Sequence, residues 1–188
     1  MRVYHLDRSN LLTSGKHLSL DTTIKIDPSL LQNVLESNFP SGVSRHGDTY
    51  YTRQATQQNA GHLVYESIFE YERKLHFPNS ISRFQSFFGL KNETDVNHWL
   101  LKLSNNNPQQ AKKIKVWEVD TLDSAVQKYD ASFLAGGSAL DLSSFSPLVA
   151  SYWANKYWSG ELSEHPSIEL LISPEVRIIK PIKTSKFL

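Results

Sequence analysis

Near the C-terminal end, Ile168, Leu170, Leu171 and Ile172 stand on one side of Ser173-Pro174-Glu175, and Val176, Ile178 and Ile179 stand on the other. Aliphatic residues clustered on both sides of a Pro-bearing turn predict a strand, a tight turn and a second strand. This strand–turn–strand segment is the stretch around which the rest of the chain is organised. One acidic residue, Glu169, sits at the head of its first run. An acid in that position is ordinarily a solvated edge residue, so it acquires meaning only from partners elsewhere in the chain.

The length of 188 residues suits one domain, 1–188, and 39% hydrophobic with 21% charged residues is enough to build a packed core. A net charge of +1 gives no global field that would recruit nucleic acid or a membrane. The absence of cysteine excludes a disulfide scaffold, Cys-ligated zinc and a thiol nucleophile, and fits a reducing compartment. Met1 to His5 lacks the apolar region of a signal peptide, and no run approaches the ~18 apolar residues of a membrane span. The expectation is a cytoplasmic protein with no membrane partner.

Taken in order, Val3 to Leu6 predicts a first strand, followed by a short helical or turn segment, Ser9 to Gly15. Asp27 to Leu35 predicts a helix, with Asp27 as cap and Pro28 in the first turn. Residues 40–48 read as a loop rich in turn formers; its Arg45-His46 pair suits a phosphate, a macromolecular target or, more simply, solvation. In His62 to Leu75, Val64, Ile68, Tyr71 and Leu75 recur at helical spacing and predict an amphipathic helix. Partial alternation predicts a strand from Arg83 to Phe88, and a helix follows from Glu93 to Leu100. Leu103 to Lys113 reads as a polar linker, Ile114 to Val119 as a strand, and Gly136-Gly137 as a flexible break. Ser146 to Trp158 predicts a helix with Pro147 in its first turn. Lys180 to Leu188 reads as a frayed tail. Short strands separated by helices of unequal length predict an α+β fold with two small, mainly antiparallel sheets.

Three separated pieces resemble the motifs of ADP-ribosyltransferases: Tyr4-His5 on a first strand, Ser82-Arg83 with Ser86-Phe87-Phe88 ahead of a helix carrying Trp99, and Glu169 at the head of a late strand. The resemblance implies an ADP-ribosyltransferase-like fold that binds NAD as co-substrate in a cleft between two small sheets. It implies that Glu169 binds the nicotinamide-side ribose and carries the transfer. His5, beside Tyr4, would contact the nicotinamide riboside; a neutral imidazole hydrogen-bonds hydroxyls or a carboxamide without adding charge. Ser86 would orient Glu169 toward its face of the cleft. Phe87 or Phe88 would stack on nicotinamide, but not both, because neighbours on a strand face opposite sides. Arg8 or Arg83 would meet the pyrophosphate. The chain departs from the family in two ways: its first motif carries His where one branch has Arg, and Ser167 stands where many protein-modifying members have Glu or Gln.

The implied activity is NAD-dependent ADP-ribosyl transfer, with release of nicotinamide, to a macromolecule (nucleic acid or protein). The implied setting is a toxin or phage–host conflict factor with an antitoxin or inhibitor as partner. The alternatives are an NAD glycohydrolase and a non-enzymatic binding module on the same fold. Glu161 is the rival carboxylate. Other chemistries lack their signatures: there is no Gly-x-Ser-x-Gly elbow, no phosphate loop ending in Gly-Lys-Ser/Thr and no dinucleotide fingerprint. The seven histidines are scattered without metal-ligand spacing, so no metal is expected.

Overall fold

A computed structural model describes residues 1–57, 59–122, 124–134 and 146–188. In chain order these form β1 (Arg2–Asp7), β2 (His17–Leu18), α1 (Ser29–Asn38), the single turn α2 (Arg45–Gly47), α3 (Ala60–His76), β3 (Phe87–Gly89), α4 (Glu93–Leu103), α5 (Pro108–Ala111), β4 (Lys115–Asp120), β5 (Val126–Asp130), α6 (Pro147–Trp158), β6 (Ile168–Ile172) and β7 (Val176–Ile182). A π-helical segment, Asp48–Thr52, continues α2, and a 3-10 turn, Arg83–Gln85, precedes β3.

The strands form two antiparallel sheets, β1-β4-β7-β2 and β3-β6-β5. The expected α+β class with two small antiparallel sheets is therefore present. The sheets meet where β1 and β3 exchange one pair of main-chain bonds, Tyr4 N to Leu90 O and Leu90 N to Tyr4 O, both 2.8 Å. Glycine suits the tight packing beside this junction. A Cβ on Gly89 would stand 2.7 Å from Ile172 Cδ1 and 3.2 Å from Val3 Cγ2, so a larger residue would require those buried side chains to shift.

The aliphatic run of β6 is continuous because the strand is buried on both faces. Successive side chains alternate across a strand. Leu170 and Ile172 join Val3, Trp117, Val176 and Ile178 in the core between the sheets, with Phe87 packed against it. Leu171 faces the other way and packs with Tyr65, Phe69, Tyr129, Ala154, Tyr157 and Trp158 beneath α3 and α6. On the outer face of the larger sheet, α4 and α5 contribute Val96, Leu100 and Ala111 to a third core with Val116 and Phe187. Among the described residues, no helix is long and apolar enough to cross a membrane.

Several expectations need correction. The predicted strand over Arg83 to Phe88 begins only at Phe87, because Ser82 caps a 3-10 turn by accepting from Phe84 N at 3.1 Å. Of the two forms expected for Ser9 to Gly15, the turn is the one present, with Gly15 at φ +79. The stripe expected to bury α3 is largely exposed: Val64, Tyr71 and Leu75 face solvent, while Tyr65, Phe69, Glu70 and Glu72 are inside. In α1, Leu35 is buried, but Leu30, Leu31 and Val34 are exposed. The polar linker contains α5, capped by Asn107, which accepts from Gln109 N at 3.0 Å. The expected frayed tail is anchored: Phe187 is buried, and its carbonyl accepts from Asn97 Nδ2. Gly136 and Gly137 lie outside the described residues.

Candidate functional site

Glu169 is the second residue of β6 and lies on the Leu171 face, so the strand directs it under α3 and α6 rather than toward solvent. Its side chain is buried and meets two donors at one oxygen. Tyr157 of α6 donates to Oε1 at 2.7 Å, and Arg83 Nη1 binds the same oxygen. Arg83, at the start of the 3-10 turn, is itself buried. Its opposite edge makes a bidentate pair with Glu66 of α3, Nε to Oε2 at 2.9 Å and Nη2 to Oε1 at 3.0 Å. It also donates to the Tyr157 hydroxyl at 2.9 Å. The guanidinium lies over Phe88, 5.0 Å from the ring centre, and 5.4 Å from that of Tyr157. One cation is thus clamped by two carboxylates and two aromatic rings.

The electrostatics follow from this packing. Burial alone would raise the Glu66 carboxyl, but the Arg83 guanidinium, aided by His46, holds it well below the usual carboxylate range. Burial opposes the charge on Arg83, yet Glu169 and Glu66 more than offset it and keep the group protonated. Burial, then the charge of Glu169, pushes the Tyr157 phenol well above its ordinary value, so it remains a donor. His46 Nε2 lies 3.2 Å from Glu66 Oε1 without an aligned hydrogen bond.

His5 approaches the same region from β1. Its Nδ1 sits 2.8 Å from the Phe88 carbonyl, and its ring lies 4.3 Å from that of Phe87 at a 30° tilt. Burial lowers its pKa below the ordinary 6.5, against the raising effects of the Phe88 carbonyl and Asp7, and Arg45 lowers it further. The ring is therefore neutral near pH 7. A carbonyl only accepts, so Nδ1 carries the proton and Nε2 keeps its lone pair as an acceptor.

The sequence-predicted residues divide clearly. His5, Phe87, Phe88, Arg83 and Glu169 form one connected group. Phe87 packs toward the inter-sheet core with His5, and Phe88 packs toward Arg83 and His46, so the two rings do separate to opposite sides. Ser86 does not hold Glu169: its hydroxyl donates to the Ser82 carbonyl at 2.6 Å, and Tyr157 with Arg83 does the orienting instead. The two carboxylates around Arg83 remove it as a pyrophosphate ligand. Tyr4 faces α4 and packs edge-on against Phe187, away from His5. Arg8 is exposed. The rival Glu161 is exposed and paired with Lys156. Glu66 and Tyr157 also belong to the group, and nothing in the sequence marks them beyond an acid and an aromatic within helices; His46, from the loop whose Arg45-His46 pair suits a phosphate, joins through Glu66 and Phe88.

A second cluster flanks β6. The hydroxyl of buried Ser167 lies 2.9 Å from His98 Nε2 and accepts from Lys102 Nζ at 2.8 Å, while Ser167 N donates to Asp130 Oδ1 at 2.8 Å. These bonds fix the chain two residues ahead of Glu169. Among the described residues there is no group of three or more potential ligands that would hold a metal ion.

The family model described as a protein of unknown function (DUF2441) matches residues 3–184. The chain belongs to the DUF2441 family. That match runs from β1 through β7, so every member of the His5–Phe88–Arg83–Glu169 group falls inside the DUF2441 region. A comparison with curated proteins gives no match.

Proposed function

We propose that this DUF2441 protein is an NAD-dependent ADP-ribosyltransferase that releases nicotinamide and transfers ADP-ribose to a nucleic acid or protein. The observation that carries the reading is the meeting of three distant segments. His5 on β1 binds the Phe88 carbonyl on β3, Arg83 lies over Phe88, and Arg83 pairs with Glu169 on β6. These are the three pieces whose order resembles the ADP-ribosyltransferase motifs, and they lie beside the junction of two small sheets.

The residues present suit NAD. His5 offers an acceptor nitrogen to a ribose hydroxyl without bringing a charge. Phe87 or Phe88, whose rings point to opposite sides of β3, offers a ring face. Arg83, Glu66 and Glu169 together hold one positive and two negative charges in a buried setting, a surplus that favours positive charge developing at the nicotinamide-bearing ribose carbon. Within that group Glu169 is the electrostatic stabiliser, Arg83 and Tyr157 hold its orientation, and Glu66 holds Arg83. NAD supplies the ADP-ribosyl group and nicotinamide as its leaving group. The acceptor class, a toxin role and an antitoxin partner belong to the same reading and rest on the resemblance alone.

One observation favours a second reading, a binding module without turnover. Glu169 is buried, and both donors described on it belong to the protein. Incubation with NAD labelled in the ADP-ribose moiety, together with separate pools of protein, DNA and RNA, tests both readings. Label transferred to one pool, with stoichiometric nicotinamide, supports the transferase. Nicotinamide release without transfer supports a glycohydrolase, and no release by the folded protein supports the module.

A further inference from the structure

We propose that Arg45 is the residue that holds the diphosphate of the dinucleotide, a role that rests on the NAD reading above. The chain has seven arginines. Five of them are engaged with carboxylates: Arg2 with Glu118 and Asp120, Arg53 with Asp48, Arg73 with Glu70, Arg83 with Glu66 and Glu169, and Arg177 with Asp120. Among the described residues, Arg8 and Arg45 have no carboxylate within ion-pair distance. They differ in how they are held. Arg8 is exposed on the loop after β1, with no side-chain hydrogen bond among the described residues. Arg45 is exposed but tethered, its Nη1 donating to Ser9 Oγ at 2.7 Å.

The tether is built from β1. Asp7, the last residue of that strand, is buried, and its Oδ1 accepts from Ser9 Oγ at 2.7 Å and Ser9 N at 2.9 Å, while Oδ2 accepts from Leu12 N at 3.0 Å. The Ser9 hydroxyl thus has its proton directed at Asp7 and its lone pairs turned to Arg45. It fixes the guanidinium through a neutral group, with no described carboxylate in ion-pair contact, although the charge of Arg45 is felt by Asp48, which pairs with Arg53. The other side of the tether is equally firm. The turn bearing Arg45 sits on the Phe84 carbonyl, which accepts from Ser44 N at 2.8 Å and Ser44 Oγ at 3.1 Å.

Arg45 is also in the right place. Through Ser9 it is tied to Asp7, which stands two residues from His5 on the same face of β1, and its neighbour His46 reaches Glu66 and lies 4.9 Å from the Phe88 ring. The turn therefore presents a fixed guanidinium, without an ion pair to any described carboxylate, on the side of the fold where the NAD reading places His5 at the riboside, and a planar guanidinium suits the paired oxygens of a diphosphate. This replaces Arg83 and Arg8 in the role that the sequence left to them.

The test is calorimetric titration of the full chain with ADP-ribose, and with adenosine, which lacks the phosphates. Arg45→Ala should weaken ADP-ribose binding by about tenfold or more, the usual effect of losing a charge-assisted contact, and leave adenosine binding unchanged. Arg45→Lys should fall between, and Ser9→Ala should weaken ADP-ribose less than Arg45→Ala does. Because Arg45 is exposed, circular dichroism should show Arg45→Ala folded like the parent. Equal ADP-ribose affinity in parent and Arg45→Ala overturns the proposal, as does an equal loss for adenosine, or a parent that binds no ADP-ribose. Nicotinamide release is followed in parallel: Arg45-dependent binding in a parent that releases none would keep the diphosphate site and remove the transferase reading.

Discussion

His5 donates from Nδ1 to the main-chain carbonyl of Phe88, 2.8 Å away and 83 residues later in the chain. That bond joins the two sheets through a side chain, one residue along from the main-chain bridge between Tyr4 and Leu90. It also fixes the imidazole tautomer, so the group that ties the fold together leaves its second nitrogen as an acceptor.

The pH dependence of stability follows from His5 and Glu66. Both have folded-state pKa values below their ordinary values of 6.5 and 4.5. The unfolded chain then binds more protons than the folded one between each folded value and its ordinary value. Stability from His5 is complete above pH 6.5 and declines as pH falls below it. Stability from Glu66 is complete above pH 4.5 and declines below that. Urea midpoints measured between pH 8 and pH 4 should therefore fall in two stages, and His5→Asn should remove the first. A parent curve flat from pH 7 to pH 5 would contradict the His5 assignment.

Arg83 should dominate the stability of the site. Arg83→Met leaves Glu66 and Glu169 facing each other without a cation in a buried setting, a change that costs about 3–5 kcal/mol. Glu169→Gln should cost much less, because Arg83 keeps its bidentate partner Glu66 and Tyr157 keeps an acceptor. Denaturant unfolding of both variants checks the order. A larger loss in Glu169→Gln than in Arg83→Met would mean that the pair with Glu169, rather than the whole clamp, carries the stability.

Gly47 seats the Arg45–His46 turn. A Cβ there would lie 2.3 Å from the Phe84 carbonyl oxygen and 2.8 Å from Val43 Cβ, so backbone must move to admit it. Gly47→Ala should destabilise the fold by about 1–3 kcal/mol, the usual cost of overpacking, despite the higher helix propensity of alanine. A neutral or stabilising result in thermal unfolding would show that the turn is not pressed against Phe84.

The sequence made β6 and β7 legible as strands because aliphatic runs around Pro174 have few other solutions, and β1 and β4 were legible for the same reason of pattern; it did not reveal that β6 and β7 part into different sheets, β6 between β3 and β5 and β7 between β4 and β2. The buried face of α3 was not. Glu66, Glu70 and Glu72 lie on it, bound by Arg83, by Arg73 with Ser82, and by Asn155. Those internal pairs make the inner face read as polar and the outer face, with Val64 and Tyr71, read as apolar. Glu169 could be singled out from its place at the head of a strand. Its donors could not, because Arg83 is far from it in the chain and Tyr157 lies on a separate helix, and only tertiary packing of α6 and the 3-10 turn against β6 brings them together. Arg83 matched a motif by residue type, yet its charge is committed inside the protein, a property that residue type does not reveal.

The most direct measurement is nicotinamide release from NAD by Glu169→Gln and Glu161→Gln beside the parent. The amide keeps the shape of Glu169 and an oxygen for Tyr157, but it removes the negative charge that meets the developing cation. By analogy with the loss of an oxyanion-hole donor, that should cost on the order of 3 kcal/mol, roughly a hundredfold in rate or more. NAD binding should persist in this variant. Glu161 is exposed and pairs only with Lys156 among the described residues, so Glu161→Gln should release nicotinamide at the parental rate. Parental turnover by a folded Glu169→Gln would contradict the account, and an inactive Glu161→Gln beside an active Glu169→Gln would move the chemistry to Glu161.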